Sequence, residues 1–311
     1  AHQIEGGSNN NQWFQFERTE DPVTHKTPID NGDVSGKAAD HWNKYKSDIE
    51  MMKSQLHVNS YRFSIEWSKI EINHGEFSKD AIHHYHDVIN TLLENEIEPI
   101  ITLHYNTEPL WFAEMGGFEK EENIKYFVNF SEAMFREYSE KVKKWVTFNA
   151  PNVYGMLGYN LGEYPPGKKS MKTAGGVMKN LAEAHVQVYG ALKKLSGSNT
   201  TSIGIALNMQ QFDPANSTST LDRMVAKVMN DMYTGSFYGF FSTGTFAFSE
   251  PGQVDIKYTN MDAIHSLDFI GINYYGNNYV KFDFQSKSHF KLISREGDIQ
   301  TDMGWPIYAE G

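Results

Sequence analysis

The chain has 311 residues, of which 22% are charged and 40% hydrophobic, with a formal net charge of −11 and no cysteine. Its apolar runs fall short of the ~18 residues of a membrane span, and its acidity opposes nucleic acid, whose phosphates call for a basic stripe. The lack of cysteine excludes disulfides and thiolate metal sites. A soluble globular protein is expected, with neither nucleic acid nor membrane as partner. A cytoplasmic location is compatible with the cysteine-free composition. Aromatic residues reach 14%, including 6 Trp and 17 Tyr. That content suits a large aromatic core, and equally a sugar site, because the C–H face of a pyranose stacks on an aromatic ring. Asn129, Asn199 and Asn216 head N-x-S/T triplets, which arise by chance often enough to carry little weight.

In chain order, "AHQIEGG" opens as if already inside an element. Residues 38–56 place Trp42, Tyr45, Ile49 and Met52 at helical intervals. "NSYRFSIEW" (59–67) is a strand. Residues 78–97 form a second helix, with Ser78 as N-cap, followed by the strand "EPIITLHY" (98–105). A helix over 120–140, the strand "KKWVTFN" (143–149) and a helix over 175–195 come next, then the strands "SIGIALN" (202–208) and "LDFIGINYY" (267–275). Each strand is apolar on consecutive positions, as in a parallel sheet covered on both faces. Alternating strands and helices leave a doubly wound sheet or a (β/α)8 barrel. Two signs favour the barrel. Most strands end on polar residues (Arg62 and Glu66, His104, Asn149, Asn208, Asn273), which a barrel would gather at one mouth. No Gly-rich dinucleotide fingerprint follows any strand. The fold class expected is α/β, a (β/α)8 TIM barrel with about six βα units present.

Several residues invite chemistry. Arg62, in an apolar strand, needs a partner; a structural ion pair and a role in keeping a catalytic carboxylate ionised both fit. His104 reads as a core histidine. The "HHYH" at 83–86 reads as helix surface, and no metal site or cofactor is expected. Pro151 restricts Ala150 to extended geometry, so a side chain at 150 would be aimed with little freedom. That is a good place for a general acid, which alanine cannot be. Asn273, Tyr274 and Tyr275 end the last strand. Trp305 lies in a loop, either as a stacking platform or as loop packing.

Taken together, "AHQIEGG", "YRFSIEW", "TLHYNTEPLWF", "GGFEKEENIKYF", "TFNAPN", "GYNLGEYPPG", "LDFIGINYY" and "MGWPIYAEG" resemble family 1 of the glycoside hydrolases, the β-glucosidase and β-galactosidase group, in order and spacing over the whole chain. The resemblance implies hydrolysis of β-glycosides with retention, by two carboxylates ~5–5.5 Å apart. It also implies a role for each matching position. Gln3 would bind the hydroxyls of the glycone, and Arg62 would sit beside the nucleophile. Asn149 would hold the 2-hydroxyl. Asn273 and Tyr275 would line the glycone subsite, with Tyr275 touching the nucleophile, and Trp305 would form the aglycone platform.

The departures from the family pattern are as informative. The acid/base motif T-F-N-E-P has Ala150 in its Glu slot. Where the family continues strand three with His and an aromatic, this chain has Tyr105 and Asn106, so Tyr105 takes the place of a glycone-binding His. The nucleophile motif T-E-N-G would lie beyond Gly311. The expectation is one barrel over 1–311, truncated at both ends, for which a complementary C-terminal segment would be a further partner beside a β-glucoside-type carbohydrate. Hydrolysis by this chain should be absent or strongly impaired. Ala150 then marks a deliberate replacement or a natural pseudoenzyme that binds sugars without cleaving them. A scaffold with a decayed pocket is the third account.

Overall fold

In the computed structural model, residues 2–197, 200–286, 289–295 and 297–311 are described; Asn199, which heads one of the N-x-S/T triplets, lies outside them. They gather into two compact units, residues 2–206 with Ser266–Ile270, and Leu207–His265 with Gly271–Gly311.

The first unit is built on parallel strands. β1 (Ser60–Ser64) pairs with β2 (Glu98–His104), β2 with β3 (Lys144–Asn149), and β3 with β4 (Ser202–Asn208), all in parallel. β5 (Phe269–Asn273) follows β4 in the sheet. Gly204 permits the approach of β5, since a Cβ there would fall 2.3 Å from the Phe269 carbonyl oxygen. Helices fill the crossovers: α1 (His41–Ser54) precedes β1, α2 (Lys79–Glu94) joins β1 to β2, α3 (Ile124–Tyr138) joins β2 to β3, and α4 (Met171–Ser196) joins β3 to β4. Sequential parallel strands joined by helices make part of a (β/α)8 barrel, as expected. Four such strands with β5 beside the last of them are described, against about six expected units. Residues 2–5 form one helical turn.

The helices follow their sequence signals closely. Ser78 Oγ accepts from the Ala81 amide and starts α2. Helix α2 then turns Ala81, Tyr85, Val88, Ile89 and Leu92 inward, at the spacing that puts residues on one helical face. α1 starts later than residue 38 because Ala38 and Asp40 adopt left-handed φ of 45° and 56°. The central strands β2, β3 and β4 are buried on nearly every residue. β1 and β5 alternate, because each has a neighbour on one side only.

The histidine run on α2 departs from a pure surface reading. His84 stacks on Trp42, with ring centroids 3.7 Å apart, and burial lowers its pKa to about 4.

The second unit contains a three-stranded sheet. In it Asn277–Phe282 lies between Gln211–Pro214 (parallel) and Phe290–Ile293 (antiparallel). It also holds the hairpin Thr245–Glu250 with Val254–Thr259.

Candidate active site

The centre of the site is set by a fault in strand register. Val146 faces Gly204 across β3 and β4, but Asn149 faces Ala206, so three steps along β3 match two along β4. The extra residue is a β-bulge, which reverses the in–out alternation beyond it. It brings Asn149 to the face of the sheet that carries Arg62. Arg62 Nη1 donates to Asn149 Oδ1 at 2.8 Å and to Thr102 Oγ1 at 3.3 Å. Asn149 is 5% exposed. The arginine thus has partners, but they are neutral and not the ion pair that was one of the two readings of this residue.

Ala150 follows, and its backbone contradicts the sequence expectation. It is left-handed (φ 52°, ψ 52°), not extended, and caps the short helix Pro151–Gly155. Proline after it disfavours the right-handed helical region. Long-range hydrogen bonds decide the rest: the Ala150 amide donates to the Ala206 carbonyl at 2.7 Å, and the Ala150 carbonyl accepts from the Tyr154 amide at 3.1 Å. The strand ladder and the helix therefore meet on one residue. Its methyl group is buried.

Beside Arg62 lies a cavity of about 200 Å³, lined among others by Glu5, His41, Tyr61, Thr102 and Tyr105. Tyr105 is 41% exposed. Glu5 was not singled out from the sequence, yet it is the most perturbed carboxyl here. It is 2% exposed, and burial, reinforced by the nearby Glu66 charge, pushes its pKa up to about 7. Tyr85 donates its hydroxyl to Glu5 Oε1 and accepts from the Glu66 amide. The sequence signal is an acidic residue inside the motif "AHQIEGG". Gln3 stands exposed on the same turn.

In the second unit, Tyr275 and Trp305 pack at 5.4 Å between ring centroids, tilted by 59°. Both remain about half exposed, at 52% and 44%. The Asn273 carbonyl accepts from the Met209 amide. Among the described residues no cluster of three or more His, Asp or Glu side chains could hold a metal ion, and no helix is long and apolar enough to cross a membrane.

The profile of glycosyl hydrolase family 1 matches residues 1–311. The chain belongs to that family. β-Glucosidase A of Acetivibrio thermocellus is 30% identical over 328 residues, an alignment that covers 100% of this chain and 71% of that enzyme. Among solved structures, the β-glycosidase from Pyrococcus horikoshii superposes with a TM-score of 0.84 at 34% identity, over 98% of this chain and 67% of that one. The β-glucosidase from Thermotoga maritima in complex with castanospermine superposes at 0.83 with 27% identity, over 98% of this chain and 69% of that one. The fold is thereby that of the family 1 glycosidases, a (β/α)8 barrel present here in part, and the chain is a β-glucosidase-like member of the family.

Proposed function

We propose that this chain binds β-glucoside-type sugars at the Arg62–Asn149 pair and is strongly impaired in hydrolysing them. One observation carries the reading. Arg62, which would grip the sugar together with Asn149 in this reading, donates to Asn149 Oδ1, while the adjoining residue, where the family motif has glutamate, is Ala150. A methyl group has no proton to donate, and losing a general acid costs ~10²–10⁴-fold in rate. In this reading Asn149 holds the 2-hydroxyl and Arg62 orients Asn149. Gln3 and Tyr105 contribute to the glycone subsite; Asn273, Tyr275 and Trp305 keep, from their motifs alone, the sugar-contacting roles that the family resemblance implies. The sugar-like ligand of the Thermotoga maritima structure supports a carbohydrate as ligand. No cofactor is required, and the cysteine-free composition suits a reducing compartment such as the cytoplasm. A natural pseudoenzyme is favoured over deliberate replacement by Tyr105 and Asn106, since removal of one proton donor would leave those positions untouched.

Titration with a non-hydrolysable aryl β-thioglucoside tests the binding, and release of nitrophenol from an aryl β-glucoside tests the impairment. Saturable binding, weakened in Asn149→Ala, with turnover at background is expected. Efficient turnover by the unaltered chain would overturn the impairment, and absence of binding would overturn the sugar site. Ala150→Glu in a chain extended through the family's eighth strand should raise turnover by ~10²-fold or more if the nucleophile is intact.

A further inference from the structure

A second group of buried polar side chains lies next to the Ala150 turn and has no part in the function proposed above. His104 ends β2, Glu108 lies in the loop after it, and Tyr154 comes from the helix Pro151–Gly155; each is at most 3% exposed. The Tyr154 hydroxyl donates to Glu108 Oε1 at 2.5 Å. His104 Nε2 stands 3.4 Å from the same oxygen, an ion-pair distance without hydrogen-bond alignment. The Tyr159 hydroxyl is 3.3 Å from that of Tyr154. Glu108 is tied down through its backbone as well, donating its amide to Gln12 Oε1 at 2.5 Å and accepting the Gln12 amide at 3.2 Å. Burial and the Glu108 carboxylate raise the Tyr154 phenol well above its ordinary range, so it stays a donor at every working pH.

A buried carboxylate is costly unless paired, and an apolar residue would fill this place with less penalty. What the network achieves is a grip on Tyr154 at both ends. The backbone amide of Tyr154 holds the Ala150 carbonyl while its hydroxyl is fixed on Glu108. Ala150 occupies a left-handed conformation that residues with a Cβ avoid, so its turn needs restraint from outside. Asn149 is the residue immediately before that turn.

We propose that Glu108 is a positioning residue of the ligand site: through Tyr154 it holds the Ala150 turn, and with it Asn149, in the geometry that receives the sugar. The proposal takes its ligand from the sugar-binding reading, but the turn can be observed without any ligand.

The experiment uses the full chain and three variants: Tyr154→Phe, Glu108→Leu and Glu108→Gln. The methyl resonance of isotope-labelled Ala150, assigned by its loss in Ala150→Gly, should move in Tyr154→Phe and Glu108→Leu. It should stay in place in Glu108→Gln, whose amide oxygen still accepts from Tyr154. The dissociation constant for an aryl β-thioglucoside should rise about tenfold in the first two variants and stay within about twofold in the third. A lowered melting temperature in Tyr154→Phe with the Ala150 resonance and the affinity unchanged would show a network that only packs, and would overturn the proposal. A resonance that moves as expected, in a chain whose native form does not titrate with thioglucoside, would uphold the Glu108 restraint on the turn and reject the sugar reading instead.

Discussion

Replacing Glu5 by glutamine should stabilise the protein at high pH and leave it unchanged at low pH. The folded-state pKa of Glu5 is raised from the ordinary 4.5 to about 7. Between those values the folded chain keeps a proton on Glu5 that the unfolded chain has released. Folding therefore binds protons in that window, and stability falls as pH rises through it. The full contribution is present below about pH 4.5 and gone above about pH 7. A displacement of that size corresponds to roughly 3 kcal/mol, undiminished by solvent because the side chain is buried. Glutamine keeps an oxygen to accept the Tyr85 hydroxyl and cannot ionise. Urea unfolding of both proteins at intervals from pH 4 to pH 8.5 measures the difference directly. The variant should match the native protein near pH 4 and exceed it by roughly 3 kcal/mol at pH 8. Only the difference is diagnostic, because buried histidines tilt the native curve the other way at acid pH. A difference that stays flat with pH would refute the reasoning, since Glu5 would then ionise alike in both states.

Two further outcomes follow from single positions. Burial lowers His185 to a pKa of about 4. The neutral ring has its Nδ1 on the Thr147 hydroxyl and its Nε2 on the Ser266 carbonyl, each at 2.7 Å. A depressed folded-state pKa gives stability that is whole above about pH 6.5 and lost as pH falls toward 4, so His185→Leu should remove up to roughly 3 kcal/mol of acid-side slope from unfolding curves while lowering stability at pH 7. Gly117 has φ 52°, and a Cβ there would meet Glu108 Oε2 at 3.1 Å. Gly117→Ala should cost about 1–2 kcal/mol in handedness and about as much again through a displaced Glu108 carboxylate, measured by urea unfolding at pH 7; a loss under about 0.5 kcal/mol would contradict both terms.

The sequence was most readable where one local rule suffices. Apolar runs marked the strands, and helical spacing marked α2 through Tyr85, Val88 and Leu92. Arg62 in an apolar strand announced a partner, although its pairing with Asn149 spans 87 residues of chain. What stayed hidden depends on long-range contacts. The bulge in β3 exists only in its pairing with β4, and the left-handed Ala150 only through bonds to Ala206 and Tyr154. The proline neighbour alone points to an extended residue 150, and the bonds to Ala206 and Tyr154 overrule it. Glu5 and Glu108 looked like ordinary acidic residues in a chain with 39 of them; burial, which a single sequence does not display, sets them apart.

These hidden features bear on how the backbone at position 150 is held. None of the hydrogen bonds that shape the turn uses the side chain of residue 150. The Ala206 carbonyl, the Tyr154 amide and the Glu108 anchor all act on backbone or on other residues. The hydrogen bonds of the turn therefore do not depend on the side chain at position 150. Asn149 depends on the bulge and on Arg62, and so it too is independent of the side chain at 150. In the reading proposed above, sugar binding and proton donation belong to adjacent residues held by different contacts, so the second can be lost without collapsing the first. Under that reading, a chain with such a division can become a binder by one substitution, and its shaped turn can receive a carboxylate at position 150.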